Sequence, residues 1–244
     1  MNKRILWCFL FLAFISIDIS AQNKQTWDYP VKPGSKQWNA YTSYQERLEV
    51  CQIPQEILKD IPTEELVAIC KNYPFSRNIF AYSSVQKGFE KVCEEFNGYR
   101  ELLQREDNVK WLTETLKSDI KKADVFLLST NLQEIGRCCI DMSITEIFLS
   151  SESICKNADL NQLKVLAILS YDMIQKKERN TRLYGLMSIS TITNLFAKTI
   201  SKLSPKKAQS IQLTPSVNGN GLYTRDEVKA LSDFFKEDIE SLRL

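Results

Sequence analysis

Asn131 to Leu149 reads NLQEIGRCCIDMSITEIFL. Leu132, Ile135, Cys138, Cys139, Ile140, Met142, Ile144, Ile147, Phe148 and Leu149 take most of a helical circumference, leaving a narrow polar stripe through Glu134, Arg137, Asp141 and Thr145. A helix that is apolar nearly all round is a buried one. Leu160 to Ile174 is similarly rich, and Ile189, Ile192, Phe196, Ile200 and Leu203 recur at the three- and four-residue steps of a one-faced helix. The region 131–203 therefore reads as three helices supplying the central core, with the rest of the chain packed around them.

Working outward on the C-terminal side, Ser204-Pro205 ends a helix, and Gln212 to Tyr223, with Asn218-Gly219-Asn220-Gly221, reads as an exposed loop. Thr224 and Glu227 match a capping box opening a last helix, whose apolar stripe is Val228, Leu231, Phe235, Ile239 and Leu242. On the N-terminal side, Val109, Leu112, Leu116 and Ile120 mark one helix, and Val85, Phe89, Val92, Cys93 and Phe96 mark another; Asn97-Gly98 offers an end to it, but the apolar register continues through Tyr99 and Leu103 and favours a single longer helix to Arg105. Pro62-Thr63-Glu64-Glu65-Leu66 starts another that stops before Pro74, since two carboxylates suit the positive end of the helix dipole. Pro54 opens a short turn, and Ser35 caps a helix bearing Trp38, Tyr41, Leu48 and Cys51. Gln22 to Gly34, with Pro30 and Pro33, is an extended arm whose aromatics lie on the body. With only 7 Gly and 7 Pro in 244 residues, a sheet built on tight turns is disfavoured. The expected class is all-α: eight or nine helices forming an irregular helical bundle or a short α-α superhelix, a single domain over 35–244.

The first residues are set apart from that fold. Lys3 and Arg4 precede an apolar run, Ile5 to Ile17, and Ser20-Ala21 supplies small residues before Gln22, the pattern of a secretory signal peptide over 1–21. The run is shorter than the roughly 20 residues of a spanning helix, and no later stretch is long enough. Expected locations are the periplasm, the cell surface or the medium. Removing the signal takes two of the 32 basic and one of the 30 acidic residues, leaving a net charge of +1. That near-neutrality predicts no general attraction to nucleic acid or anionic membrane, and reads Lys176-Lys177 and Lys206-Lys207 as solvated helix ends.

No histidine occurs in the chain. Ser-His-Asp and Cys-His catalysis, histidine bases and most zinc sites are excluded with it. Past the signal, Cys51, Cys70, Cys93, Cys138, Cys139 and Cys155 remain. An even number in an exported chain permits disulfides, but Cys70, Cys93 and Cys139 fall on apolar helix faces as buried thiols do, and no C-x-x-C spacing occurs. No metal site or cofactor is expected.

Trp27-Asp28-Tyr29-Pro30, Pro33-Gly34, Trp38, Gln52-Ile53-Pro54, Pro62 to Leu66, Asn72-Tyr73-Pro74, Phe96-Asn97-Gly98 and Arg105-Glu106-Asp107 together resemble a group of exported, all-helical bacterial proteins of uncharacterised function. The markers are capping, turn and aromatic residues in the first third of the mature chain, so the resemblance implies no activity.

Candidate chemistry is sparse. Glu134, Arg137 and Asp141 share a helix face, either as an ion-pair stripe or as two carboxylates acting as acid and base. Asp172, in an apolar run, is either a buried acid or a polar edge beside Lys176. Glu152-Ser153 followed by Gly185-Leu186-Met187 resembles, in order, fragments of a lytic transglycosylase, although Ser188 stands where that family has glutamine. S-x-x-K matches at Ser118 and Ser204 lack their companion motifs. The leading expectation is a non-catalytic protein binding a protein, peptide or glycan of the cell envelope. Trp38, Tyr41 and Tyr44 are its first candidate contact face, or else rings packing the arm onto the body. The alternative is a carboxylate-dependent glycan-cleaving enzyme using Glu152 or the Glu134 and Asp141 pair.

Overall fold

The computed structural model describes residues 27–126, 131–211 and 222–244. The expected signal segment over 1–21 and most of the stretch expected as a loop from Gln212 lie outside these. Every regular element among the described residues is helical, with fourteen α-helices and one 3₁₀ segment in place of eight or nine helices. In order they are α1 (Lys36–Ala40), α2 (Tyr44–Val50), α3 (Gln55–Leu58), α4 (Thr63–Lys71), the 3₁₀ segment (Ser76–Ala81), α5 (Val85–Glu95), α6 (Asn97–Gln104), α7 (Asn108–Phe126), α8 (Leu132–Ser150), α9 (Glu152–Asn157), α10 (Leu160–Arg179), α11 (Thr181–Leu203), α12 (Pro205–Ser210), α13 (Arg225–Phe234) and α14 (Lys236–Leu242).

The extra helices come from breaks that apolar periodicity does not register. The single helix expected from Ser35 splits at Tyr41, because Ser43 and Glu46 form a capping box that starts α2 afresh. The longer helix to Arg105 splits at Phe96, whose backbone is extended. There the Asn97 side chain accepts from the Ile53 amide at 3.0 Å and donates to the Ile53 carbonyl at 2.7 Å, while Gln52 donates to the Glu95 carbonyl at 2.9 Å. These long-range bonds replace the helical ones lost at the break. The last helix likewise divides at Phe235.

α8 packs between α7 and α11, and α11 lies along α10, so these four long helices form the body. α13 and α14 pack on α10, and α4, α5 and α6 close the N-terminal side against α7 and α8. α8 is buried from Met142 to Ser150, but its first turn emerges and leaves Leu132 exposed. Rings join the N-terminal helices to this centre: Tyr73 stacks on Phe96 at 4.1 Å, Tyr99 meets Phe148 at 4.6 Å, and Phe89 meets Phe148 edge-on at 5.0 Å. The arm is fastened by Tyr29 and Val31, both buried, with the Tyr29 hydroxyl donating to the Ile69 carbonyl at 2.8 Å.

Candidate functional site

Three helices, α4, α7 and α8, enclose the cleft that holds most of the polar stripe. Asp119 on α7 ties its floor together: Lys71 of α4 lies 2.6 and 2.5 Å from its two carboxylate oxygens, and the Thr145 hydroxyl of α8 is 2.9 Å from Oδ2. Asp119 is 4% exposed, so its charge is held by two fixed partners in a site of low dielectric.

Above this floor the cleft opens to about 690 Å³. Trp111, Thr115, Ser118 and Lys122 recur along the α7 wall at helical spacing, and Asp141, Arg137 and Glu134 climb the α8 wall. Of the two readings of that stripe, the ion-pair one is not met: among the described residues no ion pair joins Glu134, Arg137 and Asp141, and all three line the opening. Asp141 is half-buried and its carboxylate accepts no hydrogen bond among the described residues. Burial pushes its carboxyl above the ordinary range; Lys71, Arg77 and Arg137 pull it back, while Asp119 pushes it further up. The Trp111 indole is oriented by its N–H donating to Asp107 at 2.9 Å, and Lys110 stands over one of its faces at 4.6 Å, which leaves the other face to the cleft.

The other sequence candidates fall elsewhere. Glu152 opens α9 on the surface, beside a depression of about 590 Å³ shared with Lys156, Lys198 and Lys202. Two of those lysines cap helix ends, Lys198 donating to the Ser150 carbonyl and Lys202 to that of Cys155. Gly185 sits at the opposite end of α11, about 20 Å away along the helix, so the two fragments of the transglycosylase-like pattern do not meet. Trp38 and Tyr44 pack on Phe75, with ring centroids 5.4 and 5.0 Å away. Arg47 stands over Trp38 and donates to the Tyr41 carbonyl. The Tyr44 hydroxyl bonds to Glu95 and Asn78, and burial, then that carboxylate, lifts it to about 12. Asp172 pairs at the surface with Arg243.

One cluster escapes the sequence reading. Lys177, expected as a solvated helix end, is wholly buried against Glu146 of α8, and Glu146 also accepts from Thr191 of α11 at 2.5 Å. Lys177 donates further to the Ser188 carbonyl at 2.7 Å. Burial drives Glu146 up and Lys177 down, and each opposes the shift of the other. The signal was present: Glu146 lies off the polar stripe, in an apolar helix where an acid needs a partner. Neither group reaches solvent, so the pair fastens α8, α10 and α11 and cannot meet a substrate.

All six described cysteines are free thiols, buried or half-buried. Among the described residues no group of three or more acidic or cysteine side chains could hold a metal, and no helix is long and apolar enough to cross a membrane. Comparison with protein-family models, with curated proteins and with solved structures finds no match.

Proposed function

We propose that this chain is an exported, non-catalytic binding protein of the cell envelope, and that a glycan of the envelope occupies the α4-α7-α8 cleft. One observation carries the reading. Toward one end of the cleft Asp141, Arg137 and Lys122 stand without ion-pair partners among the described residues, toward the other, about 16 Å along α7, lies an oriented indole, and between them runs a floor whose own charges are already satisfied. Over that span a glycan chain rather than a single sugar fits, with carboxylate and guanidinium taking hydroxyls of one unit and the aromatic face taking the apolar side of another. The aromatic face of Trp38, Tyr41 and Tyr44 ranks lower, because the Trp38 and Tyr44 rings are engaged with Phe75, Arg47 and Glu95. Export is supported by the leader pattern of residues 1–21 and by the resemblance carried by Trp27 to Asp107. Mass spectrometry of protein recovered from the envelope should then find an N-terminus at Gln22.

A second reading, glycan cleavage, is favoured by the partly desolvated Asp141. Its nearest acid is not free to serve as a second carboxylate: Asp119 is committed to Lys71 and Thr145, while Glu134 lies exposed about 10 Å further along α8, and Glu64 and Glu114 line the cleft as exposed side chains. Incubation with purified peptidoglycan separates the two. Retention of the chain on the polymer without released fragments supports binding, whereas fragment release abolished by Asp141→Asn supports cleavage.

A further inference from the structure

A second, smaller cavity of about 220 Å³ lies between the segment from Phe80 to Val85 and the first turns of α11 beyond Gly185. At Gly185 the backbone turns to φ 61 and ψ 169, a conformation open essentially to glycine alone, and resumes as helix with Met187 40% exposed at the cavity rim. Phe80, Tyr82, Val85 and Met187 give apolar walls, and none of the described residues lining the cavity is charged. Most polar groups on the inner side are spent: Thr191 donates to Glu146, and the Ser190 hydroxyl accepts from the Tyr223 amide at 3.0 Å. Asn194 is the exception. Its Oδ1 is buried without a partner, and its side-chain amide makes no hydrogen bond among the described residues.

We infer that this cavity is a binding site for a small, neutral, ring-sized molecule bearing a hydroxyl group, held by the Asn194 amide. The absence of charge in the wall disfavours ions, which would be desolvated without compensation. The volume is below that of pockets for drug-sized ligands, so it suits one ring. One end of that amide is closed to solvent, so a ligand meets it through the other end alone, and a hydroxyl can accept from an NH₂ or donate to an oxygen whichever way the amide is turned. The inference is independent of the cleft on α4, α7 and α8.

The test titrates the isotopically labelled chain with phenol, toluene and benzoate, following the Asn194 side-chain NH₂ resonances by NMR. Phenol should bind saturably and move that pair, toluene should bind about three- to tenfold more weakly for want of one hydrogen bond, and benzoate should not bind. Asn194→Leu should erase the preference for phenol while keeping toluene binding. Met187→Trp, at the exposed rim, should fill the space and remove both, and it serves alone if Asn194→Leu does not fold. Silence of the Asn194 amide at saturating phenol, equal affinity for phenol and toluene, or phenol binding unchanged by Met187→Trp would overturn the inference.

Discussion

Lys177 on α10 places its Nζ 2.6 Å from Oε1 of Glu146 on α8, and neither side chain has any exposure to solvent. Removing one partner strands a buried charge, which costs about 3–5 kcal/mol, whereas replacing both by apolar groups is often close to neutral. Lys177→Met and Glu146→Leu should therefore each destabilise strongly, and the double variant should recover most of the loss. Urea unfolding of all four forms measures the coupling, expected at about 2 kcal/mol or more. Additive losses would mean that the two groups do not act as a pair.

Two glycines should respond to alanine with opposite signs. A Cβ at Gly88 would lie 2.0 Å from the Ile79 carbonyl oxygen, where α5 crosses the 3₁₀ segment, so Gly88→Ala should cost about 3 kcal/mol or more. At Gly136, inside α8, a Cβ meets nothing within 4 Å, and Gly136→Ala should stabilise by about 0.5–1 kcal/mol. Thermal unfolding of the two variants reads both.

The same contrast shows what apolar periodicity can and cannot carry. Ile192, Phe196 and Ile200 are wholly buried as their spacing implies, because helical period alone decides which face turns inward. The break at Phe96 was half legible: Asn97-Gly98 offered a helix end, but the apolar register runs on into Tyr99, and bonds from Asn97 and Glu95 to Gln52 and Ile53, more than 40 positions away, end the helix. The cleft was half legible. Glu134, Arg137 and Asp141 read correctly as one face, but Asp119 and Lys71 come from other helices, and their meeting is set by packing.

Asp141 should make stability depend on pH. A carboxyl whose pKa is raised by folding holds its proton more tightly in the folded chain. Its contribution is thus fully present below the unfolded value and is lost as pH rises through the folded one. At pH 7 the ionised, partly desolvated group is a cost, so Asp141→Asn should raise the melting temperature by about 1–2 °C after allowance for solvent screening. Below about pH 4 both forms are neutral there, and the gain should vanish. A gain that persists in acid would assign the effect to something other than the charge.

Burial lifts the Cys51 and Cys138 thiols to about 11 and Cys93 to about 12, so little thiolate is present near pH 8. The folded chain should react slowly with a thiol-directed disulfide reagent, and protein beginning at Gln22 should yield six thiols on unfolding. Fewer than six would reveal a disulfide.

The cleft itself is tested most directly by calorimetric titration of the chain with soluble peptidoglycan fragments. Saturable binding without turnover is predicted, weakened about tenfold or more by Trp111→Ala and by Asp141→Asn, and left unchanged by Glu152→Gln, which lies in a separate depression. Absence of binding, or binding insensitive to Trp111 and Asp141, would contradict the assignment.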